Sequence, residues 1–185
     1  MRSIPLFLPL IAALAVAAPS ASAQSSYGPE ISAEDFGQHL RALAATEPAG
    51  HPFSDYAQSL RSAYVEYQFV RLGLQTLAAG CGSDSFARQA SLPDTGRDGR
   101  PIVYLAHWQD AAEVAAVLEI AERFTTQRPR PTHAVAFLFT GKDRHALGGC
   151  EPLASAKTVI EPRNLPTRDA SSLVRELNLL YRQGR

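Results

Sequence analysis

Pro101-Ile-Val-Tyr-Leu-Ala106 and His133-Ala-Val-Ala-Phe-Leu-Phe-Thr140 are two unbroken apolar runs of strand length. Between them Asp110-Ala-Ala-Glu113 has the form of a capping box. It opens a helix whose inner face is Val114, Val117, Leu118, Ala121 and Phe124. Gln127-Arg-Pro-Arg-Pro131 stops that helix. Strand, helix, strand, with no polar alternation in either strand, predicts an α/β fold: a mostly parallel sheet covered on both faces and flanked by helices.

Working outward, Ser32-Ala33-Glu34-Asp35 reads as an N-cap with acidic residues in the first turn, and Phe36, Leu40 and Leu43 carry that helix to about Thr46. Glu47-Pro-Ala-Gly50-His-Pro52 breaks the chain. A second helix is expected over Tyr56–Leu72, with Leu60, Tyr64, Tyr67 or Gln68, and Leu72 inward and Gly73 as its stop. Residues 80–100 are polar and glycine-rich, with a turn over Asp94–Gly99. A loop over Pro162–Thr167 leads to a last helix over Asp169–Tyr181, with Leu173, Leu177 and Leu180 inward.

The N-terminus reads differently. Arg2 precedes an apolar run over residues 4–18, and Ala21-Ser22-Ala23 is a small-x-small cleavage pattern. Residues 1–23 therefore read as a secretory signal peptide, too short in its apolar run for a comfortable membrane span. Residues 24–185 then form one α/β domain of a secreted or periplasmic protein, with no membrane span in the mature chain. Export sets an oxidising compartment. Cys81 and Cys150 are the only cysteines, so one intramolecular disulfide is expected, with buried free thiols as the alternative. The whole chain balances 18 basic against 18 acidic residues, which excludes the basic footprint of a nucleic-acid binder. No phosphate loop, Cys/His finger or nucleophile elbow is present.

In an open parallel sheet, ligands bind beyond the carboxyl ends of the strands. The first strand runs into His107-Trp-Gln-Asp110 and the second into Gly141-Lys-Asp-Arg-His145, so both ends carry acid–base or metal-ligating groups. His39 and His133 lie in or beside structural elements and carry no assigned role. Trp108 is expected to pack.

Two stretches resemble the aminopeptidase-Y-like di-zinc exopeptidases, whose wider relatives include glutaminyl cyclases and the transferrin receptor ectodomain. One is His39-Leu-Arg-Ala-Leu-Ala44 followed by Tyr64-Val-Glu-Tyr-Gln-Phe-Val-Arg-Leu-Gly-Leu74, similar to that family's N-terminal helix pair. The other is Pro101–Gly149, where the family has a strand ending in Ala-His-x-Asp and a later strand ending in Gly-Glu-Glu. The resemblance implies a zinc-exopeptidase-like architecture in truncated form. It also implies two zinc ions held by His, Asp and Glu, with a separate Glu as general base.

Residue by residue, the resemblance carries over only in part. His107 matches the first ligand and Asp143 a second. Gln109 stands where the Asp of Ala-His-x-Asp is expected. Asp110 reaches the bridging position only by sliding the alignment, and it doubles as a helix N-cap. Lys142 replaces the general base, and a cation there repels zinc. The family's later Asp and His ligands have no counterpart, and no histidine follows His145.

The expectation is an exported, degenerate member without peptidase activity, whose cleft is kept for a peptide ligand or protein partner. Its metal ligands would be His107 and Asp143, with Asp110 less favoured, and zinc would be the cofactor if the family site survives. Two alternatives stand beside it. One is a working zinc hydrolase using His107, Asp110, Asp143 and His145. The other is a module that depends on a partner subunit to cover its shortened sheet.

Overall fold

The computed structural model describes residues 30–47, 53–82, 84–92, 99–128, 130–142, 147 and 149–185. The leader read over residues 1–23 and nearly all of the Asp94–Gly99 turn lie outside the described residues. In chain order the elements are α1 (Ala33–Ala44), α2 (Asp55–Arg71), β1 (Thr76–Ala78), β2 (Arg88–Leu92), β3 (Ile102–His107), α3 (Ala111–Thr126), β4 (Val135–Thr140), α4 (Glu151–Ala154), β5 (Thr158–Ile160) and α5 (Ala170–Gln183).

The five strands form one sheet in the order β1-β2-β4-β3-β5. β3 pairs in parallel with β4 and with β5, while β2 runs antiparallel to both β4 and β1. The fold is therefore α/β, with a parallel half that the apolar runs predict and an antiparallel half that they do not. Every residue of β3 and β4 is buried, as the unbroken apolar runs require of strands covered on both faces.

Alternation divides the core in two. Ile102, Tyr104 and Ala106, with Val135, Phe137 and Phe139, point into a large cluster shared with α1, α2, α3 and α5. Val103, Leu105, Ala136 and Leu138 point the other way, into a small cluster with Ala79, Ala87, Leu147 and the two cysteines. A disulfide joins Cys81 and Cys150 and so ties the loop after β1 to the start of α4 across the thinner face. By loop entropy such a link contributes about 2–4 kcal/mol.

The helix ends follow their local chemistry. Ser32 Oγ accepts from Asp35 N (2.9 Å), and Ser54 Oγ accepts from Ala57 N (3.2 Å). α2 ends in a Schellman motif: Gly73, at φ +73°, donates to Val70 O and Leu74 donates to Phe69 O. Its buried face agrees with the expected one in part: Gln68 is the buried member of the pair Tyr67 or Gln68, and Tyr64 and Leu72 pack against the core. Tyr67 is 61% exposed and Leu60 37%, whereas Ala57, Arg61, Val65, Gln68 and Phe69 are buried. Two side chains hold this face inward. Phe69 packs on Phe137 and Phe139, and Arg61 on the same face reaches the carbonyl of Trp108, so the helix turns Leu60 and Tyr67 outward. No helix among the described residues is long and apolar enough to cross a membrane.

Candidate functional site

β3 and β4 are neighbours and end together, with Trp108 N donating to Thr140 O (2.8 Å). Their carboxyl ends floor an open pocket of about 730 Å³. His107, Gln109, Asp110 and Glu113 line it from the β3–α3 side, Gly141 from β4, and Arg163 and Asn164 from the loop after β5. This is where a parallel sheet places its ligand.

His107 is held by Glu113. The carboxylate Oε2 lies 2.7 Å from Nδ1 and also accepts the His107 backbone N–H at 3.0 Å. The capping-box reading of Glu113 is thereby corrected: its carboxylate turns to His107, and Asp110 Oδ1 alone caps the helix, accepting from Ala112 N (2.8 Å) and Glu113 N (3.1 Å). The hydrogen bond to the Glu113 carboxylate raises the imidazole pKa above 6.5 against the opposing pull of burial and of Arg163. Nε2 is buried and has no hydrogen-bond partner among the described residues.

The surrounding groups are tied into the scaffold. Gln109 Nε2 donates to Gly141 O (2.8 Å). Asp84, from the loop before β2, accepts from Thr140 Oγ1 (2.6 Å) and from Gly141 N (2.8 Å), and fixes the end of β4. A Cβ at Gly141 would meet the end of the Gln58 side chain at 2.8 Å, so a larger residue there would displace that amide. Trp108 packs fully buried under the site, stacked on Phe139 (5.1 Å between centroids) with Nε1 donating to Phe86 O. Arg61, buried from α2, donates to the Trp108 carbonyl and pairs with Glu47 Oε1 at 2.6 Å.

Of the residues singled out from sequence, the structure thus brings His107, Gln109 and Asp110 together at the pocket. Lys142 follows directly, its backbone N–H bonded to Thr140 Oγ1 (3.0 Å). Asp143 and His145 lie outside the described residues. Glu113, Asp84 and Arg163 are the residues that sequence reading missed. Only Glu113 carried a usable signal, six residues beyond His107 and one turn into the helix.

The donor set does not suit a two-metal centre. Among the described residues, His107 has only Nε2 uncommitted, Asp110 is engaged as a cap, Gln109 brings no charge, and Glu113 is bonded to the imidazole. A catalytic zinc site takes three protein ligands per metal.

No family model matches the chain, and no curated protein matches it. Among solved structures it is similar to a putative zinc-dependent exopeptidase from Bacteroides vulgatus, at 18% identity over 60% of this chain and 47% of that one, with a TM-score of 0.45. It is also similar to a leucine aminopeptidase precursor from Bacteroides thetaiotaomicron (16% identity, 60% and 47%, TM-score 0.45). A third is LapA from Legionella pneumophila (12% identity, 59% and 35%, TM-score 0.49). The chain spans less than half the length of each.

Proposed function

We propose that this chain is an exported, noncatalytic relative of zinc aminopeptidases whose pocket over β3 and β4 binds a short peptide. The observation that carries the reading is the engagement of Asp110 and Gln109. The carboxylate that would bridge two metals caps α3, and the amide beside it braces Gly141. With Lys142 in place of a general base, nothing at the described part of the pocket takes a proton from a metal-bound water. What remains is a recognition surface. The His107 ring is fixed by Glu113, and Arg163, steadied by Glu161, offers a guanidinium fork suited to a carboxylate. The leader read over residues 1–23 and the Cys81–Cys150 disulfide support export.

The test is turnover of aminoacyl anilides and dipeptides by the mature chain, with and without added Zn2+, beside calorimetric titration with the same peptides. Binding without turnover, weakened by Arg163→Ala and His107→Ala, is expected. Zinc-dependent turnover that disappears in His107→Ala would sink the noncatalytic reading and favour a rearranged hydrolase.

A further inference from the structure

α3 carries two more buried glutamates beyond Glu113. Glu119 and Glu122 lie three residues apart, hence on one flank of the helix, and are 2% and 7% exposed. α1 packs along α3 and sets His39, 2% exposed, against them. One ligand atom from each of the three residues lies within 4.8 Å of the other two. Tyr64 of α2 hydrogen-bonds His39 Nδ1 at 2.7 Å and meets the ring edge-on, which leaves Nε2 toward Glu119 Oε1 at 3.8 Å. That gap is too long for a hydrogen bond.

Glu119 supplies the second observation. Its Oε2 accepts the Ser32 backbone N–H (3.2 Å), but Oε1 has no hydrogen-bond partner among the described residues although the side chain is almost wholly buried. A buried carboxylate oxygen without a donor is costly, and the fold has not used the available positions to supply one. A cavity of about 230 Å³ opens beside the group, lined by His39, Gln68, Arg71, Leu118 and Glu122 among others, with room for solvent. From the remaining side, Asp35 adds negative charge to the group, and Arg71, held by Gln68 Oε1 at 3.0 Å, opposes it.

We propose that His39, Glu119 and Glu122 form a divalent-cation site, separate from the pocket at His107 and filled by Zn2+. The two carboxylates balance the charge of the ion. An imidazole among them favours a borderline metal over Ca2+ or Mg2+. Three protein ligands leave a position for a water from the cavity. Ligand atoms around a tetrahedral zinc lie about 3.4 Å apart at Zn–N and Zn–O distances of about 2.1 Å, so the group closes by up to about 1.4 Å through side-chain rotation. Tyr64 is a positioning residue: it fixes the ring so that Nε2, and not Nδ1, faces the ion. Burial pushes Glu119 up to about 8 and Glu122 to about 7 in the metal-free chain, the condition that a cation relieves.

The test separates the two sites. The chain is stripped with a chelator and titrated with Zn2+ by calorimetry, alongside His107→Ala, Glu119→Gln, Glu122→Gln, His39→Gln and Tyr64→Phe. His107→Ala is expected to keep about one equivalent of zinc. Glu119→Gln and His39→Gln are expected to lose that equivalent, and Tyr64→Phe to bind about tenfold more weakly. Should those variants not fold, X-ray absorption on zinc-loaded His107→Ala decides alone, with one imidazole in an oxygen-rich sphere expected. A His107→Ala chain that takes up no zinc overturns the site. So do cluster variants that bind as tightly as His107→Ala, or a sphere with two imidazoles or a sulfur.

Discussion

Two histidine–glutamate groups share α3, and they differ in a single distance. In the first turn Glu113 touches His107 at 2.7 Å and raises its pKa. Six residues on, about 9 Å along the axis, Glu119 stops 3.8 Å from His39, and burial lowers that histidine to about 4. Both rings are buried and both face a glutamate, so burial alone does not set the charge state. A carboxylate within hydrogen-bond range holds an imidazolium in place. A carboxylate one ångström further leaves desolvation in command, and both partners drift toward their neutral forms. The outer pair is a finished interaction. The inner group is an unfinished one, which is why it invites a cation.

The largest expected difference between the two comes from breaking the outer pair. Glu113→Ala removes the acceptor of two hydrogen bonds and leaves the His107 amide buried, at a cost of about 3 kcal/mol. In a chain of this size that lowers Tm by about 6–12 °C in a thermal scan. A loss under about 1 kcal/mol would mean that the outer pair is no better built than the inner group. Arg61→Met comes next. It withdraws the donor from the Trp108 carbonyl beneath the pocket, and about 2 kcal/mol is expected in denaturant unfolding. The cost stays below that of a fully buried ion pair because Glu47, 36% exposed, rehydrates when its partner leaves. His39 lies away from this contact, so its titration should not move.

The same contrast explains how much was legible in the sequence. The apolar runs of β3 and β4 announced themselves because both faces are buried, and Asp110 announced the start of α3 because capping is local chemistry. α5 was legible through its Leu173, Leu177 and Leu180 stripe. β2, Arg-Gln-Ala-Ser-Leu, buries only Ala90 and Leu92 and takes its order from β4 beside it, so no period marks it. β5, three residues long, is likewise defined by pairing with β3. Leu60 of α2 was misread as inward because Arg61 and Gln58, which a hydropathy pattern assigns to solvent, occupy the buried face instead. The strand ends pointed to His107, where the structure has an open pocket, while Glu113 was read only as a helix-start acid. His39 was passed over because its acids lie about eighty residues away, on a helix that reads as apolar on one face when all its faces are covered.

Glu119→Gln sharpens the comparison from the other side. Glu119 has a folded pKa raised from 4.5 to about 8, so its contribution to stability is fully present below pH 4.5 and is lost as pH rises through about 8. A glutamine keeps the acceptor for Ser32 N, offers an N–H toward His39, and has nothing to ionise. In chelator-treated protein the variant should therefore match the wild type near pH 4.5 and exceed it by about 1 kcal/mol at pH 8 and above, as measured by urea midpoints. A variant that is weaker at pH 8 would show that the charged carboxylate is held by a partner after all.

The smallest effect, and the most direct, is the pair of histidine titrations by ring-resolved NMR in metal-free protein. His107 should titrate above pH 6.5 and His39 near 4. The signs differ in consequence. A raised histidine contributes stability that is present below pH 6.5 and lost as pH rises through its folded value. A lowered one contributes stability that is present above pH 6.5 and lost as pH falls through about 4. The two rings thus act with opposite sign in adjoining windows, His39 below pH 6.5 and His107 above it, each facing a glutamate of the same helix. Glu113→Gln removes the charge that raises His107 while burial remains, and should bring its midpoint below 6.5, toward the behaviour of His39. If His107 keeps its high midpoint without the carboxylate, the charge comes from elsewhere, with Glu161, whose charge also raises the ring, as the other source. In that case the 2.7 Å contact would not be what separates the two groups.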